Sequence, residues 1–253
     1  YEKANPDQFD VLVEQSRTDA IAVLIYTSGT TGPPKGCMIA HQNHLLNVEG
    51  MNEILGFTIK DSVVSYLPLC HILERTISIN IPLVCGNAIN FAESIETVQA
   101  NIQEIEPTFF AAVPRILEKM HSGLLLKLDN TTRFKRLMVD TFLPVGKKVA
   151  GYRMARKRVP LHWLLVSVVA NLLILRPLRE KLGLHQCRLM MSGGAPIAPE
   201  ILSFFHSLGV FTIELWSQTE SCVGGTGPHH DIKPGSVGQP ISTITLKLAD
   251  DGE

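Results

Sequence analysis

The sequence predicts an α/β fold built on parallel strands, and two observations support this prediction. The 253 residues are 45% hydrophobic and 19% charged, which is the composition of a globular chain with ample core. Short apolar runs alternate along the chain with longer stretches whose apolar residues recur at helical spacing, as strand–helix–strand units require. In such open sheets ligands bind beyond the carboxyl ends of the strands, so a site is expected in the segments that follow the strands.

Charge and cysteine content exclude several classes of protein. The net charge is −1 and the pI is about 6.8, so nothing global indicates nucleic-acid binding. The five cysteines are odd in number, scattered and never in C-x-x-C spacing. This pattern favours reduced thiols in a cytoplasmic protein over a disulfide framework or a zinc site.

Strands and helices are predicted in alternating order. Strands are expected over residues 20–27 and 62–67 and over the segments TFFAAV, CRLMMS and VFTIELW. One helix is expected between Ser94, as its N-cap, and Pro107, with apolar positions at Ile95, Val98, Ile102 and Ile105.

Two further helices have clear boundary signals. PRILEKMHSGLLLKL begins with Pro114, and APEILSFFHSLG has Pro199 near its start and Gly209 past its end. The second helix lies between CRLMMS and VFTIELW, so these two strands are expected to be parallel neighbours. The segments that follow them, GGAP at 193–196 and SQTE at 217–220, should then lie side by side on the ligand-bearing edge.

The stretch that looks least like ordinary packing follows the first strand. IYTSGTTGPPKGCMIAH, residues 25–41, gathers glycines, prolines and hydroxyl side chains around a single cation, Lys35. Glycines let backbone N–H groups turn toward a ligand, hydroxyls donate further hydrogen bonds, and the lysine supplies a positive charge, which together predict a phosphate site. The loop is not the nucleotide-binding P-loop, because Pro34 and Gly36 stand where that motif requires glycine and Ser or Thr.

A carboxylate on the same edge predicts a metal. Glu220 ends the SQTE segment, and magnesium in proteins is usually held by one or two carboxylates together with the phosphates of the substrate.

The two ends of the chain indicate a piece of a longer protein. The sequence begins with Tyr1, and in the final TITLKLADDGE the residues Ile244, Leu246 and Leu248 alternate with polar ones as one half of a β-hairpin. A strand with an unpaired edge is a poor place for a natural chain to stop.

One apolar segment can be interpreted either as a helix within the protein or as a helix that contacts a membrane. Residues 159–178 are strongly apolar, but His162 and Asn171 interrupt them, so the apolar run is shorter than the roughly 20 apolar residues of a spanning helix. The acid-free stretch before them carries the cations Lys147, Lys148, Arg153, Arg156, Lys157 and Arg158. A helix buried in the protein or lining an apolar cavity is one interpretation, and peripheral membrane contact through 147–178 is the other.

These segments resemble the motifs of the AMP-forming acyl-adenylating enzymes, which include acyl-CoA synthetases, luciferases and nonribosomal peptide adenylation domains. YTSGTTGPPKG resembles the signature loop, LPLCHILER the P-L-x-H motif, SGGAP the adenine-side loop and LWSQTE the aromatic-x-x-T-E motif. PGSVGQP and the final DGE resemble the segments that follow in the family. FAESIETVQANIQEIEPTFFAAVPRILEKMHS and RPLREKLG look most like the long-chain fatty acyl-CoA synthetase branch.

The resemblance implies a fold and a domain organisation. It implies part of the layered αβαβα N-terminal domain of this superfamily, with the start of a β-barrel-like subdomain. Within residues 1–253, residues 20–65 would be the last part of the first αβ lobe and would contain the phosphate loop. Residues 66–222 would form the second αβ lobe, and residues 233–253 would be the first part of the β subdomain. The family's ribose-binding aspartate and its C-terminal domain with a catalytic lysine are absent from the sequence, so the chain by itself is expected to be inactive.

The resemblance also implies roles for individual residues, with catalysis assigned to Lys35, His71, Thr219 and Glu220. The β/γ-phosphates and the departing pyrophosphate would contact Lys35 and the loop residues Thr27, Ser28, Gly29, Thr30, Thr31 and Gly32. Mg²⁺ would be held by Thr27 and Glu220, the α-phosphate would contact Thr219, and His71 would lie by the fatty carboxylate. The adenine would be enclosed by Gly193, Gly194, Ala195, Pro196, Trp216, Ser217 and Gln218.

The function implied is activation of a long-chain fatty acid by ATP to acyl-AMP, followed by transfer to CoA, with Mg²⁺ as the metal. Two alternatives stay open: a fatty acyl-AMP ligase that feeds a carrier protein, and a catalytically inactive nucleotide-binding module. The presence of Lys35, Thr219 and Glu220 counts against the inactive module. The location implied is cytoplasmic, with a peripheral membrane contact as an option.

Overall fold

Helices and strands alternate along the part of the chain that the computed structural model describes, residues 5, 7–27, 32–227 and 232–250. The α-helices are α1 Gln8–Gln15, α2 His41–Leu55, α3 Ile72–Arg75, α4 Ile81–Cys85, α5 Val98–Ile105, α6 Pro114–Asp129, α7 Arg133–Met154, α8 Leu161–Ala170, α9 Arg176–Leu182 and α10 Pro199–Ser207. The strands are β1 Ile21–Thr27, β2 Lys35–Ala40, β3 Ser62–Ser65, β4 Ala88–Phe91, β5 Phe109–Ala112, β6 Leu189–Ser192, β7 Thr212–Glu214, β8 Thr226–Gly227 and β9 Gln239–Pro240.

Parallel strands form the centre of the fold. β5, β6 and β7 are hydrogen-bonded in that order, and β3 pairs with β4. β3 lies beside β5, because the backbone N–H of Thr108 donates to the carbonyl of Ser62 at 3.0 Å. At the other end of the two strands the Tyr66 hydroxyl donates to the carbonyl of Ala111 at 3.1 Å. The strands therefore run in the order β4, β3, β5, β6, β7, with their carboxyl ends on one edge.

Side chains of the central strands enter two different cores. In β5, Phe109 belongs to the core cluster beneath α2 and the β1–β2 hairpin, whereas Phe110 belongs to the cluster beneath α5, α6, α9 and α10. The same alternation separates Met191 from Met190 in β6. Successive strand residues point to opposite faces, so a sheet covered on both faces reads as a continuous apolar run. This arrangement confirms the predicted α/β fold.

The predicted strand–helix–strand unit is present. CRLMMS supplies β6 and VFTIELW supplies β7, which are parallel neighbours, and α10 begins at Pro199 between them. Gly209 follows α10 with φ of 86°, a left-handed conformation that glycine adopts without steric cost. Likewise α6 begins at Pro114, as expected.

The helix expected after Ser94 begins later than predicted. Ser94 and Thr97 bond each other instead, since each backbone N–H donates to the other's hydroxyl, at 3.0 and 3.3 Å. These bonds fold residues 94–97 into a turn, and the side chain of Ile95 is 51% exposed. Short hydroxyl side chains compete with helical hydrogen bonding in this way, so α5 starts only at Val98.

Two other segments differ from, or add to, what the sequence predicts. LPLCHILER, the segment that resembles the P-L-x-H motif, is helical in its second half, since α3 begins at Ile72 and continues through a π-helical turn, Thr76–Asn80, into α4. The strand expected over residues 244–248 is not formed among the described residues. A strand requires a hydrogen-bonded partner, and the described part of the chain supplies none to this segment; only β8 and β9 pair there, over two residues each.

An ion pair joins several elements at the amino edge of the sheet. Arg188, before β6, donates to both carboxylate oxygens of Asp61 at 2.8 and 3.0 Å and to the carbonyl of Leu55 at 2.7 Å. The hydroxyl of Thr108 donates to Asp61 at 2.7 Å. Burial by itself raises the pKa of the Asp61 carboxyl, but the hydrogen bonds from Arg188 and Thr108 outweigh it and lower that pKa to about 2.

Candidate active site

Three segments that follow strands enclose one pocket at the carboxyl edge of the sheet. The pocket has a volume of about 190 Å³. The segment after β3 contributes His71, the segment after β6 contributes Gly193 and Gly194, and the segment after β7 contributes Ser217, Gln218 and Thr219. The structure therefore brings together six of the residues selected from the sequence, in the position expected of a ligand site in an open α/β sheet.

The two glycines give this pocket a flat backbone wall. A Cβ at Gly193 would lie 3.2 Å from the carbonyl oxygen of Leu215, closer than a side chain normally packs. Gly194 has φ of 83° and faces open space. A backbone without side chains leaves its peptide planes exposed, so this wall suits a planar group such as a purine base.

His71 is positioned at the start of α3. Its Nδ1 accepts a hydrogen bond from the backbone N–H of Leu73 at 3.3 Å, so the neutral ring carries its proton on Nε2. The ring is exposed and lines the pocket, and Nε2–H can donate to an oxygen of a ligand there.

A buried acid supports the loop that carries His71, and sequence reasoning missed it. Glu74 is 3% exposed and accepts hydrogen bonds from the backbone N–H of Leu67 at 3.0 Å and from the hydroxyl of Ser78 at 2.5 Å. The only signal in the sequence was an acid within the largely apolar stretch 66–84, since Glu is rarely fully buried without partners.

The hairpin brings Thr27 and Lys35 together. β1 and β2 are antiparallel, with Thr27 opposite Lys35, and the Thr27 hydroxyl lies 3.4 Å from the carbonyl of Lys35. This hairpin is a sheet of its own. The phosphate loop therefore does not follow a strand of the central sheet, whereas GGAP follows β6 and SQTE follows β7. Gly32 is exposed, with φ of 109°, and the predicted site residues Ser28, Gly29, Thr30 and Thr31 lie outside the described residues.

Glu220 lies between the central sheet and the hairpin. Residues Thr219–Ser221 form a 3-10 turn that packs against β2. Burial, followed by the charge of Glu220, raises the pKa of the Cys37 thiol in β2. The carboxylate is exposed and lines a second pocket of about 310 Å³ with Asn43, Asn47 and residues 243–245. An exposed carboxylate is an oxygen ligand of the kind that Mg²⁺ takes together with the phosphates of a bound nucleotide, so the chemistry of Glu220 fits a single protein ligand to that ion.

The backbone after Glu220 is strained, and a buried amide holds it. Cys222 has φ of 66° and Val223 has φ of 150°, values that are costly for residues with a side chain. The Asn47 side chain donates to the carbonyls of Ser221 at 2.9 Å and Gly224 at 3.3 Å and accepts from the N–H of Gly224 at 3.4 Å. Strained backbone persists where its surroundings enforce it, and α2 supplies that enforcement here.

Three of the predicted adenine contacts do not line the pocket. Ala195 and Pro196 are exposed beyond it. Trp216 is 39% exposed, and its ring covers Gly225, where a Cβ would come within 2.5 Å of the indole. The position of this ring also explains why glycine is needed at residue 225.

A family model described as "AMP-binding enzyme" matches residues 2–253. Among curated proteins, the chain is 33% identical to a Mycobacterium tuberculosis protein named fatty-acid–CoA ligase fadD11, over 100% of this chain and 45% of that protein. It is 34% identical to the long-chain-fatty-acid–CoA ligase ACSBG2 of Homo sapiens, over 88% of this chain and 33% of that protein. The chain thus spans less than half the length of these relatives.

Solved structures share the fold. An o-succinylbenzoate coenzyme A synthetase from Bacillus subtilis, in complex with ATP and magnesium ion, has a TM-score of 0.62 at 22% identity and covers 94% of this chain and 39% of its own. A long-chain-fatty-acid–CoA ligase from Archaeoglobus fulgidus has a TM-score of 0.57 at 21% identity, over 88% of this chain and 36% of its own. The fold is that of adenylate-forming enzymes, and because the family model matches nearly every residue, the chain belongs to the family of AMP-binding enzymes.

Proposed function

We propose that the complete protein containing this chain activates a long-chain fatty acid with ATP and transfers the acyl group to CoA. The observation that carries the proposal is the pocket at the carboxyl edge, where His71, the Gly193–Gly194 wall and residues 217–219 meet. The turn that begins at Thr219 packs against β2, the strand that begins with Lys35. The names of the curated relatives support a fatty acid as the substrate.

The reaction has two steps. An oxygen of the fatty carboxylate forms a bond to the α-phosphorus of ATP, and the bond from that phosphorus to the bridging oxygen of pyrophosphate breaks. The sulfur of CoA, having lost its proton, then forms a bond to the acyl carbon, and AMP departs. A carboxylate is a poor acyl donor, whereas the mixed anhydride with AMP has a leaving group that a thiol can displace.

The residues act on this reaction by position and charge. Phosphoryl transfer needs little covalent chemistry from a protein, so charge stabilisation and alignment account for most of the acceleration. We assign Lys35 and residues 27–32 to the β/γ-phosphates and the departing pyrophosphate, and Thr219 to the α-phosphate. His71 would donate from Nε2 to the fatty carboxylate or the transferring phosphate. The adenine would lie on the Gly193–Gly194 wall, beside Ser217 and Gln218.

Thr27 and Glu220 are the residues that would hold Mg²⁺. When bound, the ion would neutralise charge on the phosphate oxygens of ATP. The strained turn at 222–223 and its hydrogen bonds to Asn47 would keep Glu220 directed toward the hairpin.

The proposal also covers where the protein is located and which molecule accepts the acyl group. We place the protein in the cytoplasm with a peripheral contact to a membrane, where long-chain fatty acids concentrate. The alternatives are a ligase that passes acyl-AMP to a carrier protein and an inactive nucleotide-binding module. We also propose that residues 1–253 alone are inactive, since adenylation and thiol transfer in this family would also use residues outside them.

The test measures ATP-dependent pyrophosphate release by the complete protein with fatty acids of graded length. Release that rises with chain length, with acyl-CoA formed when CoA is added, supports the proposal. Pyrophosphate release without acyl-CoA formation would favour the carrier-protein ligase. Binding of ATP with no release for any acid would favour the inactive module.

A further inference from the structure

One helical rod exposes a large apolar surface. Among the described residues, a single continuous helix is long and apolar enough to cross a bilayer, Leu161–Leu182, which includes α8, a π-helical turn at Asn171–Leu175, and α9. Its most apolar window has a mean hydropathy of 1.7, yet only 17% of that window is buried. A core helix of this composition would be mostly buried, so burial does not account for this surface. The other form of the first interpretation, a helix that lines a cavity, is met on a different face, where Leu164, Val168 and Leu172 line a cavity of about 380 Å³.

The exposed side chains form a stripe. Leu161, Leu165, Val169 and Leu173 recur at intervals of four residues and are 69%, 61%, 46% and 52% exposed. Residues four apart lie on the same face of a helix, so these side chains make one continuous apolar surface. Ala170 and Leu175 are buried and belong to the core cluster that also contains residues of α7.

Cations flank this stripe without acids between them. From residue 141 to residue 179 the sequence has eight lysines and arginines and no aspartate or glutamate. Arg156, Lys157 and Arg158 are exposed and end two residues before α8, and Arg176 begins α9 at the other end of the stripe. Among these four, Arg176 forms an ion pair, with Glu180 at 2.8 Å. An exposed apolar surface with basic residues beside it suits contact with an anionic membrane, because the acyl region takes up the apolar side chains and the headgroups attract the cations.

We propose that this rod docks flat on an anionic bilayer, with the stripe among the acyl chains and the 156–158 cluster on the headgroups. The rod does not span the bilayer, because Leu178 and Leu182 at its far end are buried in the central core and β6 starts soon afterwards. A second copy of the chain is a poorer occupant, because cations lie at both ends of the stripe, at 156–158 and at Arg176, so a symmetric contact through this face would bring like charges together. The inference names the surface that would make the membrane contact of the proposed function, and it does not depend on the adenylation chemistry.

The test is co-sedimentation of the complete protein with vesicles of phosphatidylcholine alone or with added phosphatidylserine, in the absence of ATP and fatty acid. Binding is expected only with phosphatidylserine present, and it should weaken at high salt. Changing Arg156, Lys157 and Arg158 together to Gln should weaken binding by roughly 100-fold, at about 1 kcal/mol for each cation. The pair Leu165→Gln and Leu173→Gln should weaken it by a similar order.

Matched control variants change the same types of exposed residue to Gln outside the proposed docking surface. Changing Arg133, Lys135 and Arg136 to Gln removes three exposed cations from the opposite end of α7 and should leave vesicle binding unchanged. Leu83 and Leu126 lie on other helices and are 79% and 64% exposed. Changing both to Gln should also leave vesicle binding unchanged. If the paired leucine variant does not fold, as judged by circular dichroism, Leu165→Gln alone replaces it.

Two outcomes would overturn the proposal. One is a complete protein that stays in the supernatant with anionic vesicles, which would mean that another part of the longer protein covers the stripe. The other is leucine variants that bind vesicles normally but lose a dimer seen by light scattering, which would assign the face to self-association. Neither measurement needs catalysis, so failure here leaves the adenylation proposal to its own test.

Discussion

Lys35 begins β2 opposite Thr27, and Glu220 lies in the 3-10 turn that packs against the same strand. Both side chains are exposed, and the proposed function assigns Lys35 to phosphate and Glu220 to Mg²⁺. We therefore expect Lys35→Ala and Glu220→Ala, each made in the complete protein, to lower the rate of acyl-AMP formation on the order of 10²-fold or more. The measurement is fatty-acid-dependent exchange of pyrophosphate into ATP.

The controls for these two variants are exposed charges far from the site. Lys60→Ala and Glu104→Ala remove a cation and an acid from the surface and should keep the exchange rate. Rates at the unmodified level in both Lys35→Ala and Glu220→Ala would refute their assignment to phosphate and metal.

Asn47 acts through the turn that follows Glu220. Asn47→Asp keeps the shape of the side chain but removes both of its donors to the carbonyls of Ser221 and Gly224. Leaving those groups unpaired should cost about 1–3 kcal/mol in the free energy of unfolding, measured by chemical denaturation. Because the turn carries Glu220, the exchange rate should fall as well, with a weaker response to added magnesium.

The matched substitution for Asn47 is Asn130→Asp. Asn130 also donates to a backbone carbonyl, that of Leu126 at 3.0 Å, but it is exposed at the end of α6. This variant should change neither stability nor exchange. An Asn47→Asp protein as stable and as active as the parent would contradict the supporting role.

For individual residues, the sequence identifies those that belong to a local motif. It does not identify residues that lie far along the chain and contact the motif only in the folded protein. Lys35 and Glu220 stand out because the glycines, hydroxyls or polar residues beside them are unusual for a packed chain. Asn47 is 174 residues away from Ser221, and nothing near Asn47 in the sequence indicates that contact. Glu74 had one weak signal, an acid within an apolar helical pattern, and its partners appear only when the chain is folded.

At the scale of elements, Asp61 and Arg188 join α2, β3, β5 and β6 at the edge opposite the site. The folded-state pKa of Asp61 is about 2, below the ordinary value near 3.8. The stabilisation is therefore complete above about pH 4 and is lost as the pH falls toward 2. We expect Asp61→Asn to lower the free energy of unfolding at pH 7 on the order of 2 kcal/mol.

The pH dependence separates this ion pair from simple packing. The difference between Asp61→Asn and the parent should shrink between about pH 4 and pH 2, as measured by chemical denaturation. Asp19→Asn is the control, since the pair of Asp19 with Arg17 is exposed and should contribute nothing measurable. A difference that stays constant down to pH 2 would show that the carboxylate charge is not what stabilises the fold.

Element prediction succeeded where local signals and packing agree. Proline at the first position set the start of α6 and α10, and β6 and β7 are apolar runs because the sheet is covered on both faces. The start of α5 was misplaced because Ser94 and Thr97 bond each other, which a helical apolar spacing does not reveal. The strand over 244–248 failed because alternation shows amphipathicity, whereas a strand also requires a partner.

At the scale of the whole molecule, the acyl chain of the proposed substrate needs more apolar space than the pocket of about 190 Å³ at the carboxyl edge offers. Burial of each CH₂ contributes roughly 0.8 kcal/mol, so a long-chain enzyme needs a deep apolar channel or access to a bilayer. For the complete protein, we expect kcat/KM to rise by up to about fourfold for each added CH₂, until the chain exceeds the apolar space available. A rate independent of chain length would point to a small carboxylic acid as substrate.

The most direct test of the central claim is ATP–pyrophosphate exchange by the complete protein, measured with a long-chain fatty acid and Mg²⁺ in the absence of CoA. We predict exchange that depends on the fatty acid, stops when Mg²⁺ is chelated, and falls on the order of 10²-fold in Lys35→Ala. Exchange that is absent in the unmodified protein, or that proceeds equally well without any carboxylic acid, would contradict the account.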